Sequence, residues 1–381
     1  MTFKITKRAY LMASIALGLG VNTTAFANDK IPVVASFSIL GDLVSQVGGE
    51  HIDITTLVKA NGDAHVYSPT PKDALAVRKA KLLVINGLHF EGWMPRFLES
   101  ANFTGTTVVA SNGIDVIEIG EDDHDEHHGH DDHADHDEDH HDHADHDEEH
   151  EEHADHDEDH HDHADHDEEH EEHADHDEDH HDHADHDEEH EEHADHEEGH
   201  AGHHHEGQDP HAWNSIANVK TYIKNIEIGL SQVDPENSTD YQQNAQAYLQ
   251  KLDKLEIELH QKMDTIPVAQ RKIITPHDAF AYFARDFDVE FIAPQGTSTE
   301  SEASASDMAA IIKQIRDEKI SAVFLENISD NRMVEQISQE TDAKIGGELF
   351  TGALSEPEGN APTYYKLMEY NVNTIVSALT K

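Results

Sequence analysis

DYQQNAQAYLQKLDKLEIELHQKMD, residues 240–264, is the stretch whose pattern divides the rest of the chain. Apolar side chains recur in it at Tyr241, Ala245, Tyr248, Leu249, Leu252, Leu255, Leu259 and Met263, the spacing that gathers them on one face of an α-helix. A stripe of that length is expected to lie along a core. The segment is therefore the expected connector between two bodies of chain.

On its N-terminal side, strand and helix patterns alternate. Residues 31–38 (IPVVASFS) have the pattern of a buried strand, 39–47 a helix stopped by Gly48-Gly49, 53–59 a strand, and 71–80 a helix opened by proline. Strand 81–86, helix 91–99 and strand 106–111 follow. Asp209-Pro210 resembles an N-cap followed by proline, with a helix expected over 213–233. Beyond the connector the alternation resumes, with strands at 272–275, 289–293, 321–325 and 344–350 and helices at 279–287, 304–319, 331–341 and 363–379. Such alternation predicts an α/β fold of two lobes with mostly parallel sheets, joined by one long rigid helix and leaving a cleft between them. Residues 28–120 with 207–237 form the expected N-terminal lobe, 238–265 the connector and 266–381 the C-terminal lobe.

Residues 121–206 interrupt this pattern. They hold 31 of the 37 His and 44 of the 81 acidic residues, with no Lys or Arg, and the unit HADHDEDHHDHADHDEEHEE occurs three times unchanged at 133–152, 153–172 and 173–192. Too few apolar groups are present to offset the entropy of ordering, so a disordered insertion is expected. Its composition suits either a solvated acidic spacer or a weak multi-site metal collector, in which carboxylates concentrate a cation and imidazoles bind it. Without the tract, 37 acids stand against 25 Lys and Arg, so the net charge of −56 belongs mostly to it. Nucleic acid is an unfavourable partner for such a chain.

The first 27 residues have a basic start at Lys4, Lys7 and Arg8, an apolar run and the small-residue pattern Ala25-Phe26-Ala27, as a cleaved secretory signal does. The chain has no cysteine, which removes disulfides, thiolate chemistry and lipid attachment through an N-terminal cysteine. A free monomeric protein of a bacterial periplasm is expected. No phosphate-binding Gly-Lys-Ser/Thr motif is present, and no HExxH, so neither an ATPase nor a zinc protease of that type is indicated. Glu300 and Glu302, in a Ser-rich loop, fit a surface position better than a general base.

Six His lie outside the tract. His65, in GDAHVYSPTP, and His277, in TPHDAF, each follow an expected strand, where open α/β sheets bind ligands, and His211, in DPHAW, precedes the helix after the tract. Taken alone, each is as compatible with a solvated or capping residue as with a metal ligand. His51 follows a Gly-Gly turn, His260 belongs to a polar helix face, and His89 starts a loop with aromatic neighbours.

The segments GDAHVYSPTPKDA, QDPHAWNSIANV, ITPHDAFAYFARDFDVEFIAP and FTGALSEPEGNAPTYYKLMEYNV resemble, in order, the metal-contacting motifs of the zinc and manganese solute-binding proteins of bacterial ATP-binding-cassette importers. A His-rich acidic insertion between the first two motifs is typical of the zinc members. The resemblance implies one metal held between two lobes by His65, His211 and His277, and an inner-membrane permease as partner. Manganese-type members usually carry Glu where this chain has His277, and three neutral imidazoles suit Zn2+ on chemical grounds as well. Many members carry an acidic fourth ligand where this chain has Gly352, so water or an open position is expected there, with Glu348 or Glu356 as lesser substitutes. A periplasmic zinc buffer or chaperone and a zinc-dependent hydrolase are the alternative functions.

Overall fold

The computed structural model describes residues 30–119, 207–300 and 303–380. The expected signal segment, the His-rich tract 121–206 and Glu302 lie outside the described residues.

Two four-stranded sheets organise the described chain. The first holds β1 (Ile31–Phe37), β2 (Ile52–Val58), β3 (Leu82–Ile85) and β4 (Thr106–Val109), in the order β2-β1-β3-β4 with every pairing parallel. The helices between these strands are α1 (Ser38–Gly48), α2 (Pro71–Lys79) and α3 (Met94–Ala101). A two-stranded antiparallel ladder follows, in which β5 (Glu118–Ile119) pairs with β6 (Gly207–Gln208) across the tract. Two helices come next, α4 (Ile216–Val233) and α5 (Ser238–Met263). The second sheet holds β7 (Lys272–Ile274), β8 (Glu290–Ile292), β9 (Ala322–Glu326) and β10 (Lys344–Leu349) in the order β10-β9-β7-β8, again all parallel. Its helices are α6 (Ala281–Phe287), α7 (Ala305–Glu318) and α8 (Arg332–Glu340), with α9 (Tyr364–Leu379) closing the chain.

The expected two-lobe α/β architecture with parallel sheets and a long joining helix is the one observed. In α5 the stripe Tyr241, Ala245, Tyr248, Leu252, Leu255, Leu259 and Met263 is buried, and the helix packs on α1, α4 and α9, elements of both halves. Leu249, at the edge of the stripe, is only half-buried. One apolar core runs without a break from Val33, Phe37 and Val84 of the first sheet through Trp213 and Leu255 to Phe280, Phe324 and Leu349 of the second half. Because well-packed interiors resist shear, a core shared in this way limits how far one lobe can move on the other.

Local chemistry sets the helix starts. Thr70 caps α2 in a capping box with Asp73, and Ser304 and Asp307 do the same for α7. Gly41 lets α1 lie against β2, since a Cβ there would meet Thr56 Oγ1 at 2.4 Å. Two helices start three residues later than the sequence suggests. The helix expected from Trp213 begins at Ile216 with Ser215 as its cap, because Ala212–Asn214 form a 3-10 turn and Asp209 is used elsewhere. The helix expected from Glu91 begins at Met94, and the Glu91 carboxylate is buried.

Candidate metal centre

The carboxyl ends of both sheets supply the centre. His65 lies in the loop after β2, His277 just beyond β7, and His211 between β6 and the 3-10 turn that leads into α4. His211 and His277 are fully buried, and His65 is half-buried at the edge of the group. One ring nitrogen from each falls within 4.8 Å of the other two. His65 Nε2 and His211 Nε2 stand 3.2 Å apart. Two nitrogens bound at ~2.05 Å to one tetrahedral ion are separated by about 3.3 Å, so this gap would let both rings reach one metal ion.

Buried carboxylates stand behind two of the three rings. Asp209 Oδ1 lies 2.8 Å from His211 Nδ1 and also accepts the His211 backbone N–H at 2.8 Å. Glu326, the last residue of β9, faces His277 Nδ1 and accepts the Ser329 hydroxyl at 2.6 Å. An ionised carboxylate can only accept, so in the neutral tautomer that suits this pairing Nδ1 carries the proton and Nε2 keeps its lone pair. Among the described residues His277 Nε2 is buried without a hydrogen-bond partner, as are one oxygen of Asp209 and one of Glu326. A buried imidazole nitrogen without a hydrogen-bond partner, facing two others, is a donor arrangement that a cation would satisfy.

Electrostatics separates the rings. Burial, reinforced by the neighbouring His211 and His277, pushes the His65 imidazole down to about 2, which keeps it a neutral donor. For His277 burial acts in the same direction, but the Glu326 carboxylate, with Asp63 and Asp278 beyond it, outweighs burial and raises the group. The walls are aromatic. Phe90 meets the edge of His65 at 4.8 Å between centroids, and Trp213 lies 5.4 Å from His211.

The turn that carries His211 is clamped from both lobes. Asn86, directly after β3, donates from Nδ2 to the Pro210 carbonyl at 2.9 Å and accepts the Tyr222 hydroxyl at 2.6 Å. Glu91 steadies Asn86 by accepting its backbone N–H at 2.7 Å and the Ser36 hydroxyl at 2.5 Å. Burial pushes the Glu91 carboxyl up against the pull of these donors. From the other lobe Tyr282 donates to the Asp209 carbonyl at 2.9 Å, and Trp213 Nε1 donates to the Thr351 carbonyl at 2.6 Å.

His51, His89 and His260 lie apart from the group. His51 pairs with Asp240 at 2.8 Å, His89 is exposed with a positive φ, and His260 packs against Phe287. Among the described residues neither Glu348 nor Glu356 joins the three His, and Glu300 is exposed. Gly352 is buried, and a Cβ there would meet Ile328 Cδ1 at 2.8 Å, so an acidic residue at 352 first requires that methyl group to turn away. Sequence reasoning missed Glu326 altogether and took Asp209 for a helix cap, whereas it pairs with the His211 ring. Asp-x-His occurs at both 63–65 and 209–211, which is the one signal that pointed to a shared turn.

The family described as zinc-uptake complex component A, periplasmic, matches residues 33–378, and the chain belongs to it. It is thus a metal-binding substrate-binding protein of the ABC-importer class. The manganese-binding lipoprotein MntA of Halalkalibacterium halodurans is 25% identical over 97% of this chain and 96% of its own length. The iron-binding protein YfeA of Yersinia pestis is also 25% identical, over 97% of this chain and 95% of its own. Among solved structures, the Mn-bound periplasmic metal binding protein of Candidatus Liberibacter asiaticus superposes with a TM-score of 0.65 at 25% identity, covering 92% of this chain and 99% of that one. The periplasmic zinc binding protein TroA of Treponema pallidum shares the fold, with a TM-score of 0.67 at 24% identity over 92% of this chain and 99% of its own. No helix among the described residues is long and apolar enough to cross a membrane.

Proposed function

We propose that this protein captures Zn2+ in the periplasm, after export through the signal at residues 1–27, and delivers it to the inner-membrane permease of an ABC importer. The metal is cargo, held by His65, His211 and His277, with water in the fourth position, and the chain makes and breaks no covalent bond. The observation that carries this reading is the convergence of three ring nitrogens within 4.8 Å, two of them backed by buried carboxylates. Relatives are named for manganese, iron and zinc, so the choice of metal rests on the donor set. Three imidazoles, joined by no carboxylate among the described residues, favour zinc over manganese, which prefers oxygen. On this reading the bodies that separate during delivery are 28–120 with 207–237 and 266–381, with helix 238–265 as the connector.

The tract at 121–206 acts in the same proposal as a low-affinity collector. It leads into the described chain at Gly207, four residues before His211, so the collector is tethered in sequence to one of the proposed ligands. Titration of the full chain with zinc and with manganese, beside His277→Ala, tests the assignment. Tight zinc binding that is lost in the variant is expected. Tighter binding of manganese than zinc, or an intact tight site in His277→Ala, would overturn it.

A further inference from the structure

The two Asp-x-His turns are built alike and wired differently. In each, the Asp Oδ1 accepts the backbone N–H of the His two residues on, at 2.9 Å for Asp63 and His65 and 2.8 Å for Asp209 and His211. Asp209 uses the same oxygen to hold the His211 ring within its own turn. Asp63 does not touch the His65 ring through any hydrogen bond given by the geometry. Its other oxygen instead accepts the Thr299 hydroxyl at 2.6 Å, from the loop that follows β8 in the opposite lobe.

The rest of that strap is tied across the cleft too. Asn61 donates its backbone N–H to the Leu354 carbonyl at 2.9 Å, and its side-chain oxygen receives a longer contact from Asn327 at 3.4 Å. The Thr299 loop is in turn attached to the third His, because the backbone of His277 bridges to Gln295, and Asp278 donates to the Gln295 and Gly296 carbonyls. His65 and His277 therefore communicate through one short chain: His65 backbone, Asp63 carboxylate, Thr299 hydroxyl, loop 295–299, His277 backbone. Of the three His, His65 is the least buried, so its withdrawal opens the site to solvent with the least disruption of packing.

We propose that Asp63 is a positioning residue that latches the two lobes, making the placement of His65 conditional on closure and thereby setting the rate at which the metal leaves. The inference rests on the zinc-capture reading above. A hydrogen bond from a hydroxyl to a buried-edge carboxylate is of the charge-assisted kind, stronger than a neutral pair, and it is lost as soon as Thr299 moves away with its lobe. Opening then releases the carboxylate, and with it the turn that aims His65 at the cargo.

Thr299→Val tests this without disturbing the Asp63–His65 turn. The zinc-loaded full chain is mixed with excess chromogenic chelator and release is followed by stopped flow, in which the tract contributes the fast phase and the interlobe site the slow one. The slow phase should accelerate about tenfold in Thr299→Val, a change equivalent to ~1.4 kcal/mol, while zinc association and the thermal midpoint of the zinc-free protein stay at wild-type values. Thr299→Ser, which keeps the hydroxyl, should restore the slow rate. Asp63→Ala should accelerate release further, and adding Thr299→Val to it should bring no additional change, because the two substitutions remove one interaction.

A wild-type slow phase that Thr299→Val leaves unaltered overturns the latch and leaves the capture reading standing. Fully additive effects in the double variant overturn it as well, as does a fall in zinc-free stability that accounts for the faster release. A wild-type protein with no slow phase overturns the capture reading and the latch together.

Discussion

Replacing Glu326 by Gln isolates the contribution of a carboxylate that stands behind a proposed ligand. Glu326 is fully buried, faces His277 Nδ1 and has one oxygen without a partner among the described residues. A carboxylate one imidazole away from a bound ion, roughly 6–7 Å, attracts a divalent cation by about 5 kcal/mol at an effective dielectric constant of about 20. Much of that attraction is offset, because the amide oxygen of Gln still accepts the Nδ1 proton and the surroundings relax. Substitutions of this kind cost about 10–100-fold in metal affinity, and Glu326→Gln is expected in that range, near thirtyfold or about 2 kcal/mol. Competition against a chelator of known affinity measures the change on the full chain. Thermal unfolding of the zinc-free protein should not show a matching loss, since the substitution also removes a buried charge whose hydration was given up on folding. An unchanged affinity would refute the argument that Glu326 tunes the ring, and an equal loss in zinc-free stability would make its role merely structural.

Deleting residues 121–206 should remove the weak zinc sites and leave the tight one, as counted by titration against the same chelator; disappearance of the tight site would end the separation of roles. Asp73→Asn should lower stability by ~0.5–1 kcal/mol at pH 7 through loss of the capping box, measured by urea unfolding. Burial works against it, but the Thr70 and Tyr67 donors hold the Asp73 carboxyl below its ordinary range, so its contribution is present above the unfolded value near ~3.9 and is lost as pH falls through the folded one. The gap between wild type and variant should therefore close on acidification below about pH 4, and a gap that persisted to pH 2 would contradict the charge-based account.

Where local pattern and tertiary demand coincide, the fold was legible. The stripe from Tyr241 to Met263 is both a helical period and a buried face, and strands such as Ile31–Phe37 are apolar because parallel strands are covered on both sides. His65 and His277 were candidates because both follow strands, and only the motif resemblance singled them out with His211. Asp209 was not, since Asp-Pro ahead of a helix has the composition of an N-cap; only the 3-10 turn at Ala212–Asn214 shows that its oxygen serves His211. Glu326 was invisible for another reason. Its partner lies 49 residues away, and no local spacing records which carboxylate a buried imidazole will meet. Gly352 posed the opposite problem, since the missing side chain was plain but the crowding by Ile328 was not.

The β5–β6 ladder has a consequence for descent. By setting Ile119 opposite Gly207 it gives the inserted tract a single point of departure and return, so the core is indifferent to how much chain lies between. Lengthening a segment closed at that point by one more twenty-residue unit adds only about 0.2 kcal/mol of closure entropy. A change in the number of these identical copies would therefore leave the three imidazoles where they are.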